Sequence, residues 1–420
     1  MDRFVICGGR PLAGTVTAAR AKNSVLPILA ACILTDEPCA VEDVPELEDV
    51  STMTRLLRSM GVTVTRSGRS ITVEASRPVK TEAPYDIVRK MRASYYVLGP
   101  LVSRFGMARV SLPGGCAIGA RPVDLHLKGI SALGARVSLE HGYIDARAKR
   151  LAGTTVVLAG TKGPSVGATI NTMLAAVLAR GRTIIKCAAA EPEVADVARF
   201  LRRMGAEIDG AGTPEISISG VAKLRGVRYR PIPDRIEVGT LAAAAVVTGG
   251  CVTISNCRPG HLAAPLEVLR QTGARVETSR TSITVAAPRR PKPFNIATAP
   301  YPGFPTDLQA QFMTLASVAS GTSVITENIF EARFMHAMEL ERMGAQISLK
   351  GNTAVVTGVE RLSAAQVMAS DLRASAALVL AGLACRGQTE ILRIYHLDRG
   401  YERLETKLNR LGAKIERVRT

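Results

Sequence analysis

The sequence contains no tryptophan, and aromatic residues make up only 4% of it. Its hydrophobic cores must therefore be built mainly from aliphatic side chains and alanine. It also lacks long apolar runs. Runs such as Val25–Leu34 and Ala374–Ala384 hold about 10 residues, whereas a helix that crosses a bilayer needs about 20. We therefore expect no insertion into a membrane.

Sequence signals for secretion, disulfides or bound metal are also missing. The start, Met1-Asp-Arg-Phe4, is not a basic segment followed by an apolar run, so no signal peptide is expected. The eight cysteines show no C-x-x-C pair and no regular spacing. That pattern predicts neither a disulfide framework nor a zinc site. We expect a cytoplasmic protein without a metal.

The charge is the unusual feature of the composition, because the 420 residues carry a net charge of +18. Such a charge is compatible with nucleic acid, an acidic membrane surface or a small polyanionic substrate. Proteins that bind nucleic acid usually show lysine runs or basic residues interleaved with aromatics. Here the arginines are scattered and the one basic cluster is Arg289-Arg290-Pro-Lys292. We therefore expect most of the excess charge on the solvated surface and no nucleic-acid partner.

A phrase of the form Leu/Met-Gly-Ala/Val recurs along the chain at nearly constant intervals, and only its fourth copy has a different first residue, Thr272. Its glycines are separated by 73, 71, 68, 71 and 68 residues. Such constancy indicates repeated structural units. The glycines are Gly61, Gly134, Gly205, Gly273, Gly344 and Gly412.

Each repeat predicts the same order of elements: a helix buried on all sides, a strand, a loop, an amphipathic outer helix and two further strands. The recurring glycine is expected to end the outer helix, where a left-handed residue satisfies free carbonyl groups. Six units indicate an α/β (α+β) fold of two domains with three units each, helices inside and sheets outside. The break is expected near Val221–Pro233, where Gly226 and two prolines interrupt the pattern. Chain order leaves open how Met1–Ala21 is shared.

The loop around Cys116 is a candidate for chemistry. Gly114, Gly115 and Gly119 allow its backbone to approach a ligand closely, and Arg121 would favour the thiolate. The alternative is that Cys116 is a small buried hydrophobic residue, as most free cysteines are. The residues of the loop alone leave this choice open.

Cationic residues collect in the loops and at the N-terminal ends of the predicted buried helices, where the helix itself already favours an anion. If these ends converge, the cations would repel one another unless a polyanion is bound. The pattern therefore predicts a small, multiply charged substrate between the two domains. Asp234, Asp307 and Asp371 could cap helices or act in the site. The cations are Lys22, Arg92, Arg121, Arg333, Arg373 and Arg399.

Motifs spread over nearly the whole chain resemble those of the enolpyruvyl transferases, in particular the ones that act on UDP-N-acetylglucosamine. The cysteine loop is the most specific of them. The motifs are Ala21-Lys-Asn-Ser24, Met91-Arg-Ala-Ser94, Leu112-Pro-Gly-Gly-Cys116, Gly119-Ala-Arg-Pro-Val-Asp-Leu-His126, Pro305-Thr-Asp307, Arg333-Phe-Met-His336, Asp371-Leu-Arg-Ala-Ser375 and Asp398-Arg-Gly-Tyr401.

The resemblance implies a transferase that moves the enolpyruvyl group of phosphoenolpyruvate to the 3-hydroxyl of UDP-N-acetylglucosamine and releases phosphate. This is the first committed step of peptidoglycan synthesis, so it implies roles in cell wall biogenesis, cell shape and cell division, and a fosfomycin target. No cofactor is implied, and the chain would be a monomer or a weak homo-oligomer. The implied domains are two inside-out α/β barrel-like bodies with buried parallel helices, residues 22–231 and residues 1–21 plus 232–420, with the active site in the cleft between them.

The resemblance also implies residue roles. Cys116 would donate a proton to the substrate methylene and form a pyruvate adduct, and Asp307 would be the base for the sugar hydroxyl. Lys22, Arg121 and Arg399 would hold the phosphate, with Lys22 and Arg399 counted as catalytic. Arg333 and Arg373 would lie near the carboxylate. Contacts to the nucleotide sugar are implied for Asn23, Arg92, Arg121, Pro122, Val123, Asp124, Leu125, Ser165, Val166, Gly167, Asp307 and Ile329. Lys162 stands three residues before Ser165, where the family usually has a lysine two before, so its role is open.

Three other functions are compatible with parts of the pattern. A transferase acting on shikimate 3-phosphate shares the sixfold architecture but does not use a cysteine loop. A basic RNA-binding or RNA-end-processing protein on a related repeat fold would need a continuous basic groove or a nucleotide-transfer histidine. His396 is the one histidine in a loop that also holds other candidate site residues, and we interpret it as lining the site or supporting the structure. A catalytically silent paralogue is disfavoured by the joint presence of Lys22, Cys116, Asp307 and Arg399.

Overall fold

The structure, a computed structural model, describes residues 2–76, 79–112 and 123–419. Its chain divides into two units. The first unit comprises residues 20–232 of the described chain, and the second comprises residues 2–19 and 233–419. Cys116, Arg121 and Pro122 lie outside the described residues.

The strands are short, and in chain order they begin and end as follows. They are β1 (Arg3–Cys7), β2 (Ala13–Thr17), β3 (Cys39–Val41), β4 (Thr63–Ser67), β5 (Ser70–Glu74), β6 (Glu82–Ala83), β7 (Met107–Ser111), β8 (Arg136–Glu140), β9 (Tyr143–Arg147), β10 (Thr155–Val157), β11 (Ala159–Gly160), β12 (Gly163–Pro164), β13 (Arg182–Lys186), β14 (Glu207–Asp209), β15 (Glu215–Ser219), β16 (Arg228–Tyr229), β17 (Cys251–Ser255), β18 (Arg275–Thr278), β19 (Ser282–Ala286), β20 (Asn295–Ala297), β21 (Thr322–Thr326), β22 (Gln346–Lys350), β23 (Thr353–Thr357), β24 (Gln366–Met368), β25 (Gln388–Leu392) and β26 (Ile415–Val418).

The α-helices are α1 (Lys22–Ala31), α2 (Glu48–Ser59), α3 (Tyr85–Val88), α4 (Leu98–Phe105), α5 (Asp124–Ala132), α6 (Val166–Ala176), α7 (Pro192–Met204), α8 (Arg235–Val247), α9 (Ala263–Gln271), α10 (Gln309–Ser317), α11 (Met335–Arg342), α12 (Leu372–Ala384) and α13 (Leu404–Arg410). Short 3₁₀ helices cover Cys32–Leu34, Arg92–Val97, Pro259–Leu262, Thr306–Leu308 and Ile394–Arg399.

Each unit contains three four-stranded sheets, and all of these sheets are built alike. An edge strand runs parallel to its neighbour, and the next two strands are antiparallel. The sheets are β16-β3-β5-β4, β6-β7-β9-β8 and β10-β13-β15-β14 in the first unit, and β2-β17-β19-β18, β20-β21-β23-β22 and β24-β25-β1-β26 in the second.

The N-terminal segment belongs to the second unit because two of its sheets are incomplete without it. Strand β1 lies between β25 and β26, with Phe4 opposite Ile391 on one side and Arg417 on the other. Strand β2 runs parallel to β17, with Thr15 opposite Thr253.

The helices α1, α4 and α6 of the first unit and α8, α10 and α12 of the second are mostly buried, and the last turn of α4 is half-buried. Every residue of α8 is buried, and from Val238 onward its sequence is apolar except for Thr240. The strands expose alternate residues, as β17 does. Each unit has its own hydrophobic core. The fold is therefore the predicted α/β arrangement, with helices inside and sheets outside.

The recurring glycines lie where the sequence analysis placed them, just after an outer helix. All of them have positive φ angles, between 87° and 106°. This conformation strains residues that carry a Cβ atom, which explains the choice of glycine. Among the described residues, no helix combines the length and the apolar character that crossing a membrane requires.

Candidate active site

The polar cluster of the second unit is organised around Asp307. Its Oδ1 atom accepts a hydrogen bond from Nη2 of Arg333 at 2.7 Å, and its Oδ2 atom accepts one from Nη2 of Arg373 at 2.7 Å. The side chains of Arg333 and Arg373 are only 6% and 8% exposed, whereas that of Asp307 is 27% exposed. The structure thus brings Asp307 together with the two arginines that the sequence analysis assigned to the substrate carboxylate.

Arg333 is held in place by a chain of hydrogen bonds that continues away from Asp307. Its Nη1 atom donates to Oγ1 of Thr306 at 2.7 Å, and Thr306 donates to Oε2 of Glu327 at 2.8 Å. The guanidinium group also lies over the ring of Phe330, 5.0 Å from its centre. Because Glu327 is 2% exposed, this support is sheltered from solvent.

Glu327 also orders the loop that follows β21. Its Oε1 atom accepts hydrogen bonds from the backbone N–H groups of Ile329 and Phe330 at 2.8 and 3.1 Å, and from the hydroxyl of Thr298 at 2.9 Å. The predicted site residue Ile329 therefore owes its position to a buried carboxylate.

Arg373 is positioned by the start of α12 and by a neighbouring aromatic ring. Its guanidinium lies 5.5 Å from the ring centre of Tyr401. The Tyr401 hydroxyl is in turn fixed by Thr240 of α8 at 2.9 Å and by Gln311 of α10 at 3.1 Å. Residues of all three buried helices of this unit thus meet beside Arg373.

The charge state of Asp307 follows from these contacts. Burial on its own would raise the pKa of its carboxyl group, but the adjacent guanidinium groups of Arg373 and Arg333 hold that pKa well below its usual value. Asp307 is therefore ionised throughout the neutral range. In this arrangement it is a weak base.

The aspartates that were candidates for helix capping differ in what they do. Asp234 caps α8, because its side chain accepts from the N–H groups of Ile236 and Glu237. Asp371 caps α12 in the same way. Asp307, in contrast, lies within the 3₁₀ helix Thr306–Leu308 and makes ion pairs instead. The capping interpretation is wrong for Asp307.

His336 is a second titratable group beside this cluster. It is 2% exposed, and its Nε2 atom has no hydrogen-bond partner in the described part of the chain. Burial lowers the pKa of His336 to about 4; the charge of Asp371 opposes this shift and that of Arg333 adds to it. His336 is therefore neutral at physiological pH.

The low pKa of His336 predicts a loss of stability on mild acidification. A histidine in the unfolded chain has a pKa of about 6.5. Below that pH the unfolded chain therefore binds a proton at this residue, whereas the folded chain binds it only near pH 4. The free energy of unfolding should therefore fall by up to about 3 kcal/mol as the pH drops through this window. His126, with a pKa of about 3, contributes with the same sign.

Urea unfolding at several pH values between 7.5 and 4.5 tests this prediction. The His336→Leu variant should lose distinctly less stability over this range than the wild type. The control is His141→Asn. His141 is exposed and has a left-handed backbone conformation, which asparagine also adopts readily. A His336→Leu variant with the pH dependence of the wild type would contradict the assignment.

In the first unit, Lys22 opens α1 and is paired with a buried carboxylate. Its Nζ atom lies 3.0 Å from Oδ2 of Asp49, in the first turn of α2, and the two side chains are 11% and 5% exposed. Removing one partner of a buried pair leaves the other charge poorly compensated. The predicted phosphate ligand Lys22 therefore already has an anionic partner.

A double-mutant cycle should detect strong coupling between these two residues. We expect Lys22→Ala and Asp49→Asn to show an interaction energy of about 1–3 kcal/mol in the free energy of unfolding. The control is the exposed ion pair of Arg55 and Glu48, whose charged atoms are 2.8 Å apart. Glu48 lies in the same turn of α2 as Asp49, and we expect a coupling below about 0.5 kcal/mol for this pair. Equal coupling in the two pairs would count against the assignment.

The starts of α5 and α6 form a further polar cluster of the first unit. The Oδ1 atom of Asn171 accepts a hydrogen bond from the N–H of Gly99 at 2.8 Å, and this contact fixes the orientation of the side-chain amide. The Nδ2 group therefore faces His126 and donates to its Nδ1 atom at 3.2 Å. The His126 ring packs directly on Gly167. A side chain at position 167 would not fit, since its Cβ atom would lie only 2.9 Å from Nε2 of His126. Ser165 caps α6 by accepting from the N–H of Ala168 at 3.2 Å.

The other predicted site residues line the ends of helices and are half-buried, except that Asp124 is exposed. They lie as follows: Asn23 in the first turn of α1, Arg92 at the start of the 3₁₀ helix Arg92–Val97, Val123, Asp124 and Leu125 at the start of α5, Val166 and Gly167 at the start of α6, and Arg399 at the end of the 3₁₀ helix Ile394–Arg399. Lys162 is exposed in the turn between β11 and β12. Cys116, Arg121 and Pro122 are not among the described residues, so their predicted roles stay predictions.

The sequence analysis missed several residues that support the site. Asp49 and Glu327 were not singled out, and Thr306 appeared only as the middle residue of the motif Pro305-Thr-Asp307. Glu327 carried a usable signal, since it is a charged residue directly after the alternating strand β21. Asp49 carried none, because an acidic residue in the first turn of an amphipathic helix is common.

Comparison with known proteins identifies close relatives over the full length of the chain. A protein of Desulfosudis oleivorans named UDP-N-acetylglucosamine 1-carboxyvinyltransferase is 55% identical over 418 residues, covering 100% of both chains. Proteins of the same name from Trichlorobacter lovleyi and Myxococcus xanthus are 52% and 53% identical, covering at least 99% of each chain.

Solved structures show the same fold. The enolpyruvyl transferase NikO from Streptomyces tendae is 28% identical, with a TM-score of 0.89 and 99% of both chains covered. EPSP synthase from Acinetobacter baumannii, at 19% identity and a TM-score of 0.75, shares the fold over 100% of both chains. The family model described as EPSP synthase (3-phosphoshikimate 1-carboxyvinyltransferase) matches residues 6–408. The chain therefore belongs to the enolpyruvyl transferase family, and within it to the UDP-N-acetylglucosamine 1-carboxyvinyltransferases.

Proposed function

We propose that this chain transfers the enolpyruvyl group of phosphoenolpyruvate to the 3-hydroxyl of UDP-N-acetylglucosamine and releases phosphate. The observation that carries the proposal is the identity of 52% to 55%, over the full length, to three proteins of that name. The proposal places the chain at the start of peptidoglycan synthesis in the cytoplasm.

The polar cluster of the second unit supports this chemistry. Arg333 and Arg373 are buried guanidinium groups that converge on one carboxylate, that of Asp307. Guanidinium groups bind carboxylates and phosphates with two parallel hydrogen bonds. The same pair is therefore suited to hold the carboxylate of phosphoenolpyruvate.

The reaction proposed is an addition followed by an elimination. In the addition, the sugar hydroxyl oxygen bonds to carbon 2 of phosphoenolpyruvate, the hydroxyl proton goes to a base, and the methylene carbon gains a proton. In the elimination, the bond between carbon 2 and the phosphate oxygen breaks, and the new methyl group loses a proton to restore the double bond. The products are the enol ether and phosphate.

We assign the proton transfers to Asp307, as base for the hydroxyl, and to Cys116, as donor to the methylene. Lys22, Arg121 and Arg399 would hold the phosphate, so that negative charge on the leaving group is stabilised. Contacts to the nucleotide sugar are assigned to residues of the helix starts described above.

Release of phosphate on mixing the purified chain with both substrates tests the proposed function. We expect release that depends on UDP-N-acetylglucosamine, and none when shikimate 3-phosphate replaces it as acceptor. Mass spectrometry should identify a carboxyvinyl ether of the nucleotide sugar. Phosphate release from phosphoenolpyruvate with shikimate 3-phosphate as acceptor, but not with UDP-N-acetylglucosamine, would show that the acceptor assignment is wrong.

The assignment of Cys116 has a test of its own. The epoxide fosfomycin should inactivate the enzyme by alkylating the thiolate, and peptide mapping should locate the added mass at Cys116. Thiols that burial keeps protonated, such as Cys257 with a pKa raised to about 11, should stay unmodified. Inactivation with the added mass on another cysteine would contradict the assignment.

A further inference from the structure

Asp307 makes an unusual pair of contacts for a residue that must accept a proton. Both of its carboxylate oxygens are occupied by guanidinium groups at 2.7 Å. A carboxylate held by two cations has little tendency to take up a proton, whereas a general base works best with a pKa near the operating pH. The residue can act as base only after these contacts change.

The exposure of the three side chains indicates which partner moves. Asp307 is 27% exposed, and the two arginines are at most 8% exposed. Without Asp307, Arg333 keeps Thr306 as an acceptor at 2.7 Å and Phe330 beneath its guanidinium. Asp307 is therefore the partner able to leave.

Arg373 would also stay in place. Its guanidinium lies over Tyr401, whose hydroxyl is hydrogen-bonded to Thr240 and Gln311, and its backbone N–H is bound by Asp371 at the cap of α12. The site that Asp307 vacates would thus consist of two buried cations whose donors still point at the same place. A second carboxylate of the same shape fits this site.

We propose that the carboxylate of phosphoenolpyruvate replaces Asp307 on Arg333 and Arg373, and that this exchange frees Asp307 to accept the hydroxyl proton of the nucleotide sugar. The inference rests on the proposed function. It makes the base competent only when the enolpyruvyl donor is bound. No other reactant is needed: the O–H bond of the sugar breaks, the bond from oxygen to carbon 2 forms, and the proton passes to Asp307.

The exchange has a consequence that a fixed base would not have. If Asp307 competes with the substrate for the two arginines, then removing its charge should strengthen binding of phosphoenolpyruvate while lowering kcat. By linkage, the gain in affinity equals the coupling that is removed, which we expect to be on the order of 10-fold.

Isothermal titration with phosphoenolpyruvate in the absence of nucleotide sugar measures this gain. The titrations use the full chain with Cys116→Ala, so that no covalent adduct forms. Asp307→Asn should bind phosphoenolpyruvate about 10-fold more tightly than its parent. The control is Glu277→Gln, which removes one negative charge from the surface of the same unit, where Glu277 is 56% exposed and paired with Arg275. Its affinity should change by less than about 2-fold.

Two results would overturn the exchange. One is an unchanged or weaker affinity of Asp307→Asn, and the other is an equal gain in Asp307→Asn and Glu277→Gln, which would reflect net charge alone. Circular dichroism checks folding, and Asp307→Ser replaces Asp307→Asn if the latter is unfolded. Phosphate release by the wild type, assayed in parallel, separates a failed exchange from a failed proposed function.

The pH profile of the wild type gives an independent readout. With saturating nucleotide sugar, kcat/KM for phosphoenolpyruvate reports the enzyme in which Asp307 is still paired, and kcat reports the complex in which it is free. The acidic limb of kcat should therefore lie at higher pH than that of kcat/KM. Coincident acidic limbs would count against the exchange.

Discussion

Replacing Asp307 with asparagine should lower kcat by about 10²–10⁴-fold, the usual contribution of a positioned general base. An amide of the same size can still accept a hydrogen bond from one arginine, so the loss should come from the missing proton acceptor and not from unfolding. Phosphate release at saturating concentrations of both substrates measures the effect.

The control for this substitution is Glu277→Gln, in the same unit. Glu277 is 56% exposed and pairs with Arg275 on the surface, so its replacement should change kcat by less than about 2-fold. If Asp307→Asn kept kcat within about 10-fold of the wild type, Asp307 would not be the base. The ion pairs with Arg333 and Arg373 would then be purely structural.

The repeat architecture could be predicted because its signals are local. The predicted order of helix, strand, outer helix and two further strands is present in the fifth repeat as α10, β21, α11, β22 and β23, and the recurring glycines end the outer helices. Helix starts were less accurate. The apolar run Val25–Leu34 marks only part of its helix, because α1 begins at Lys22 and the hydrophobic pattern does not mark the polar residues of the first turn. Those first turns contain much of the candidate site.

Candidate site residues could be named from the sequence, but their partners could not. Asp307 contacts Arg333 and Arg373, which lie 26 and 66 residues further along the chain. Nothing local in the sequence reports such a distant contact. The same holds for Lys22 and Asp49, which are 27 residues apart. The sequence therefore singled out candidate groups for the chemistry, while the structure shows what the described ones among them contact.

The expectation that the cations would repel one another without a bound polyanion does not hold for three of them. Lys22 is compensated by Asp49, and Arg333 and Arg373 share Asp307. Both carboxylates are fixed within the same unit as the cations that they neutralise. A protein that must fold before it meets its substrate needs such internal counter-ions, since buried unpaired charges are costly. A substrate anion then has to compete with them.

The largest loss of stability should follow from replacing Glu327 with leucine. This buried carboxylate accepts hydrogen bonds from four donors, and leucine would leave the N–H groups of Ile329 and Phe330 and the hydroxyls of Thr298 and Thr306 without their acceptor. Since each unsatisfied buried group costs about 1–3 kcal/mol, we expect the free energy of unfolding to fall by at least about 3 kcal/mol.

Glu327→Gln separates this structural role from the positioning of Arg333. The amide oxygen can replace Oε1 and keep the loop ordered, but its NH₂ group would face Thr306, which already accepts from Arg333. We expect a stability loss of only about 1 kcal/mol, together with a raised KM for phosphoenolpyruvate. The exposed Glu341 of α11 provides the control, because Glu341→Leu should stay within about 0.5 kcal/mol of the wild type. If Glu327→Leu were no more destabilising than Glu341→Leu, the hydrogen bonds of Glu327 could not be what holds Arg333 beside Asp307.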